Sequence, residues 1–299
     1  MKNKKTFYLI STIGFFVLAF FFTFLLLQKG SPGEKLGMVE GVFTFCENEI
    51  EQFGETYRVV KVGDRCWMSQ NLRTTKYSNG TEILRINEDK DWEQTTQGAF
   101  SVYPNTEVFV KDDTVEGGCG IATDIPGEEG GEGESKELME EDEVVRKFGY
   151  LYNYHAINSA FGLCPEGWSL PTHDDWTTLE RALCTSSTCE FDFPFDEKTI
   201  GERGTNEGSK IAGFIYLWRD GELKEDSAFD ASSFDALPGG FRDSTGFFGG
   251  QSISAHFWSA PDADGGTWVR EIHNNKTSIL RQYFQAFFGG MSVRCIKDK

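Results

Sequence analysis

Residues 163–180 read LCPEGWSLPTHDDWTTLE, and this stretch decides how the rest of the chain is parsed. Thr172 is placed to cap a helix. Its hydroxyl can accept from the Asp175 backbone N–H, while the Asp175 carboxylate can reach back and suits the positive end of the helix dipole. Pro171, just ahead, helps set where the chain turns. Trp176, Leu179 and Leu183 then fall at i, i+3 and i+7, one apolar stripe of an amphipathic helix. Upstream, a shorter helix is expected over residues 152–159. Downstream the pattern changes. HFWSA (256–260), GTWVREI (266–272), TSILRQY (277–283) and MSVRCI (291–296) are short runs separated by Gly, Asp and Asn, which read as strands and turns. YRVVKVGDRCWM (57–68) adds two strands around a Gly-Asp turn. The fold class is therefore α+β: a small twisted antiparallel sheet and two short helices, joined by long loops.

The chain has 299 residues, with 29 Lys+Arg against 47 Asp+Glu and a formal net charge of −18. Four of the basic residues and none of the acidic ones lie before residue 30, so the remainder is more acidic still. Such a surface repels phosphate, which excludes non-specific nucleic-acid binding and docking on anionic lipid beyond what the N-terminus does. With 39% hydrophobic and 14% aromatic residues the chain can bury a core.

Residues 7–27 carry no charge and include seven phenylalanines. As a helix they would span roughly 31 Å, close to the hydrocarbon thickness of a bilayer. They are read as one transmembrane helix, with residues 1–6 as a cytoplasmic tail held inside by Lys2, Lys4 and Lys5. The alternative is a secretory signal, cleaved to release the rest; it lacks a small-x-small cleavage site. Residues 28–56 form a juxtamembrane linker and first strand region, and 57–298 the main extracytoplasmic domain. Residues 112–143, with 13 acids, one base and seven glycines, read as a solvated flexible insertion. They lack the D-x-D-x-D-G spacing of a calcium loop, so no cofactor is expected.

The seven cysteines show no C-x-x-C pair and no ligand spacing with the four histidines, which favours disulfides in an oxidising compartment over zinc. Cys184 and Cys189 suit a small local loop. An odd count leaves one thiol free or paired with another chain.

No catalytic constellation appears: there is no G-x-S-x-G elbow and no H-E-x-x-H pair. His173 with Asp174 and Asp175 could form a metal corner, but capping already accounts for Asp175. The aromatic residues are more telling. Most belong in the core, yet rings on loops beside carboxylates suit a sugar, whose C–H face packs on the ring while its hydroxyls meet polar groups. Loops around Phe247-Phe248 and Asp262-Ala263-Asp264 are the candidates, and Trp258, Asp262, Asp264 and Trp268 are the expected ligand-binding residues. No catalytic and no metal-binding residue is assigned.

Six strings occur in order: VKVGDRCWMSQNLRTTKYSNGTEI, FGYLYNYHAI, LCPEGWSLPTHDDWTTLE, ALPGGFRDSTGFFGG, FWSA and GMSVRCIKD. Together they resemble the Fibrobacter succinogenes major paralogous domain family, over about residues 57–298. That family looks like a branch of the C-type-lectin-like superfamily, related in fold to the formylglycine-generating sulfatase modifiers. The resemblance implies a domain whose N- and C-terminal strands pair beneath long loops. It further implies that Cys164 bridges Cys295, a closure contributing roughly 4–5 kcal/mol in the chain-entropy model. Cys66 would then pair with Cys46 or Cys119, and the resemblance favours Cys119. The sulfatase modifiers use a reactive cysteine pair near the C-terminus, whereas here Cys295 stands alone beyond Cys189. The sugar signatures of calcium lectins are absent too. Neither oxidase chemistry nor calcium-dependent lectin binding is expected.

These readings lead to a membrane-anchored, extracytoplasmic, non-enzymatic binding or adhesion module. Its expected ligand is glycan or cell-wall polysaccharide, with surface protein next. A carboxylate-dependent hydrolase or modifying enzyme, and a structural envelope protein, are the competing readings.

Overall fold

The computed structural model describes residues 45–104, 107–111, 134–285 and 289–299. They belong to the second of two units into which the chain divides, Thr44–Lys299. The expected membrane span at residues 7–27 lies outside the described residues. Among the described residues no helix is long and apolar enough to cross a membrane.

The Gly63-Asp64 turn closes a hairpin of β2 (Glu55–Val62) and β3 (Arg65–Met68). It sits in a five-stranded antiparallel sheet ordered β1 (Glu49–Gln52), β2, β3, β17 (Ile296–Lys297), β9 (Trp168–Ser169). The last strand therefore lies between strands from near the start and the middle of the domain. Ten strands form the larger sheet. At one end are β10 (Gly201–Arg203), β15 (Ile279–Phe284), β14 (Thr267–His273) and β13 (Ser254–Pro261). Then come β11 (Gly239–Arg242), β16 (Gly290–Met291), β8 (Leu151–Asn153), β5 (Ala99–Ser101) and β4 (Leu84–Arg85), with β12 (Phe248–Gln251) paired to β11. Only β11·β13 and β4·β5 run parallel among the paired strands described. Strands β6 (Glu107–Lys111) and β7 (Glu134–Leu138) pair with each other.

Seven α-helices, all short, punctuate the described chain, where the sequence suggested two: α1 (Asp89–Gln94), α2 (Glu141–Phe148), α3 (Tyr154–Ile157), α4 (His173–Leu183), α5 (Cys189–Asp192), α6 (Glu207–Ile211) and α7 (Glu222–Glu225). Five of them span six residues or fewer, too short to display a helical period. The helix expected over 152–159 contracts to α3, because Tyr152 is a strand residue paired with Phe100 and Met291. Part of the expected flexible insertion over residues 112–143 is regular structure. Glu134–Leu138 is β7, and Glu141, Asp142 and Glu143 form the first turn of α2, where acids suit the positive end of a helix.

Helix α4 begins at the capping box: Thr172 Oγ1 accepts from Asp175 N at 3.1 Å and Asp175 Oδ2 accepts from Thr172 N at 3.0 Å. Trp176 and Leu179 carry its stripe into a core with Trp67, Phe234 and Phe257. Immediately after Leu179 the helix buries Glu180 completely. That carboxylate accepts from Arg270 Nε at 2.5 Å on one oxygen and from Arg281 Nε at 3.0 Å on the other, docking α4 on β14 and β15. A second core joins Tyr57, Met68, Tyr152, Trp258 and Met291 between the two sheets.

Three disulfides close the domain: Cys46–Cys66, Cys164–Cys295 and Cys184–Cys189. Cys66 is therefore bonded to Cys46 rather than to Cys119, the partner the resemblance favoured. The β1–β2–β3 meander accounts for this, since it returns Cys66 to within 5.6 Å (Cα–Cα) of Cys46. Cys119 lies outside the described residues.

Because Glu180 serves two fully buried guanidiniums, Glu180→Gln is expected to lower unfolding stability by about 3–5 kcal/mol. A shift in the chemical denaturation midpoint with unchanged slope is the check.

Candidate functional site

A cleft of about 720 Å³ opens where the segment after α6 meets the chain preceding β11. Its position follows from backbone pairing. Asp230 N donates to Ser209 O, Ser232 N to Lys210 O and Ala236 N to Ile211 O, zipping residues 230–236 alongside α6. Gly213 is required there, since a Cβ on it would come within 2.7 Å of Asp235 Cα. Beneath the segment lies Arg294, wholly buried, donating to the Phe234 and Asp235 carbonyls and to Met68 O, with Nε on Asn71 Oδ1 at 2.6 Å. Burial pushes that guanidinium down to about 9, since only neutral acceptors bind it.

Six non-glycine residues of the described chain have left-handed backbone, and four of them line this cleft: Phe214 (φ 53°), Asp230 (62°), Ser233 (55°) and Asp235 (56°). Each such conformation costs roughly 1–3 kcal/mol, and such residues gather where structure is held for use. The outcome is a specific surface. Phe214, Ile215 and Tyr216 stand out as a ridge, at 38%, 49% and 63% exposure, with the Phe214 and Tyr216 rings edge to face at 6.1 Å. Asp230, Ser233 and Asp235 line the same cleft. Arg58 Nη2 donates to Asp235 Oδ2 at 2.9 Å, fixing that carboxylate. Partial burial, the neighbouring Asp235 charge and a hydrogen bond with Asp235 raise the Asp230 carboxyl, while Arg58 pulls it the other way.

The expected ligand-binding residues are placed differently. Trp258 and Trp268 are fully buried on β13 and β14, with both faces of each strand covered. Trp258 Nε1 donates to Tyr152 O at 2.7 Å, and Trp268 packs between the His173 ring at 4.0 Å and Tyr283 at 5.2 Å. Neither ring can be offered to a ligand, which corrects the expectation for both. Asp262 and Asp264 do sit on the β13–β14 turn. Asp264 is committed to that turn, accepting from Gly266 N at 3.1 Å and Tyr283 OH at 3.0 Å, bonds that lower its pKa. Partial burial, Glu197 and Asp264 raise Asp262. Phe247 is exposed, while Phe248 packs on Tyr103 and Arg242. The new site carried a faint signal in the sequence: five consecutive large apolar residues, Phe214 to Trp218, follow Gly213, and carboxylates recur through residues 226–235.

The family model described as the Fibrobacter succinogenes major domain matches residues 60–297, most of the chain. The chain belongs to this family. No curated protein and no solved structure matches it.

In this Fibrobacter succinogenes major domain the cleft falls within the matched residues except for Arg58, which lies two positions before them. A second polar constellation lies on β13 and β14. His256 Nε2 is 2.8 Å from Ser254 Oγ, and Glu271 Oε2 is 3.5 Å from His256 Nδ1 and 3.0 Å from His273 Nε2. It resembles a serine–histidine–carboxylate relay, but Ser254 is 2% exposed, so a substrate carbonyl has no approach. Its effect is on stability. Burial alone would raise the Glu271 carboxyl, yet the His256 and His273 rings facing it outweigh that and hold the group at about 2. A depressed carboxyl stabilises the fold above its unfolded value and loses that contribution as pH falls toward 2. Glu271→Gln is therefore expected to flatten the fall of thermal midpoint between about pH 4.5 and 2. An unchanged acid limb would contradict this.

Proposed function

We propose that this domain is a non-catalytic glycan-binding module and that the Phe214–Tyr216 ridge with Asp230, Asp235 and Arg58 is its binding site. The observation that carries the reading is the concentration of left-handed residues around a ridge of exposed rings that shares one cleft with fixed polar groups. A sugar's C–H face packs on Phe214 and Tyr216, and its hydroxyls donate to the aspartates and accept from Arg58. Membrane anchoring by residues 7–27, with the domain outside the cell, belongs to the same proposal. Three disulfides support an oxidising compartment. A C-type-lectin-like relation is likewise proposed; its support is the pairing of β3 with the last strand and the Cys164–Cys295 bridge.

Asp230 and Asp235 also support a second reading, a carboxylate-dependent hydrolase. Binding is favoured because Asp235 is already committed to Arg58, which holds it at 2.9 Å, rather than left unpaired for acid–base or nucleophilic work. A bell-shaped pH–rate profile on any polysaccharide, abolished by Asp235→Asn, would reverse that preference.

Retention of the oxidised full chain on insoluble polysaccharides and cell-wall fractions tests the proposal. Saturable retention is expected, unaffected by chelator. Tyr216→Ala, at a side chain too exposed to support the core, should weaken it about tenfold, or roughly 1.4 kcal/mol. Retention equal in the variant and the parent chain would move the site elsewhere.

A further inference from the structure

We propose that the glycan taken by the cleft is anionic, a polysaccharide with carboxylate- or sulfate-bearing sugars set among neutral ones; this rests on the glycan-binding reading above. The cleft does not end at Arg58. On the other side of Arg58 and Phe214 a second cavity of about 280 Å³ continues it, with Arg146 and Lys147 on the last turn of α2 as further walls. Three cations thus converge in a chain whose net charge is −18. Two carboxylates oppose them. Glu143 is 3.9 Å from Lys147 Nζ, and Asp235 takes Arg58 from the far side. The pocket keeps a positive excess, and Arg146 presents its guanidinium at the surface. Lys147 Nζ also lies 5.7 Å from the centre of the Tyr216 ring, tying the basic patch to the stacking ridge.

The two cavities have opposite character, and that sets the charge spacing of the ligand. Asp226, Asp230 and Asp235 line the larger one, whose Lys224 is paired with Asp220, so the carboxylates repel a second anion while offering acceptors to hydroxyls. Arg58 and Arg146 in the smaller one supply the planar donor forks that suit carboxylate or sulfate. Phe214 borders both. A polymer charged on every sugar is repelled by the larger cavity; one with no charge leaves the smaller unused. A charged sugar beside a neutral one fits both.

The test uses four polymers on the full chain: glucuronoxylan, the same polymer with its carboxyls reduced to alcohols, sparsely sulfated dextran, and dextran. Glucuronoxylan is expected to bind at least tenfold tighter than its reduced form if carboxylate is recognised. Sulfated dextran should exceed dextran by a similar factor if sulfate is. Arg146→Glu should abolish whichever difference is found while leaving affinity for the uncharged polymer unchanged. Tyr216→Ala should lower affinity for charged and uncharged polymers alike. Equal binding of charged and uncharged polymers overturns the anionic assignment and leaves the glycan reading standing. Failure to bind any of the four, nor any cell-wall fraction, overturns both.

Discussion

One buried guanidinium holds this domain's sheets, core and cleft in register. Arg294 lies between β16 and β17, in the short link that carries the chain from the larger sheet to the smaller. Its donors end on Met68 at the close of β3, on Asn71 beyond it, and on the Phe234 and Asp235 carbonyls that floor the cleft. Its flat faces meet the Phe234 and Phe257 rings. A charge so deeply placed would be ruinous if any donor went unmatched, so the four partners are effectively specified together. Sheet junction and cleft floor become one structure. The left-handed residue Asp235 gives its carbonyl to Arg294 Nη2.

The Glu180 network does similar work at the other end of the larger sheet, with a difference in sign. One carboxylate faces two guanidiniums, and His173 beside them is kept neutral, its pKa pushed down to about 3 by burial and by the charges of Arg270 and Arg281. Helix α4 is thus located by two devices at once, an apolar stripe and an ion cluster. The stripe gives adhesion and the cluster gives direction, since hydrogen bonds are angularly selective where hydrophobic contact is not.

How much of this was legible beforehand depended on the range of the interactions concerned. The α4 cap could be read because Thr172 and Asp175 are three residues apart and answer each other. The β2–β3 hairpin could be read because its turn is local. Trp258 and Trp268 were misplaced for the opposite reason. Their flanking Gly, Asp and Asn are real turn signals, but whether a strand is covered on one face or both is decided by distant segments, here α4 and β8. The cleft was missed on the same ground. Nothing near Asp235 announces that Arg58 and Arg294, from opposite ends of the domain, will converge on it. Pairing of Cys66 with Cys46 likewise depended on a three-strand meander whose first member is only four residues long.

The Cys46–Cys66 bond has a mechanical consequence. Strand β1 is the edge of its sheet, and an edge strand pulled from its end would unzip one hydrogen bond at a time. The disulfide sits ahead of β1 and lands on β3, two strands further in. Tension entering at Phe45 is therefore passed through sulfur to the interior of the sheet, where β3 lies against β17, and β1 and β2 become a slack loop outside the load path. Cys295, one residue before β17, carries the load onward to Cys164. A pull on the N-terminal side of the domain therefore reaches the middle of the sheet before it can open the edge.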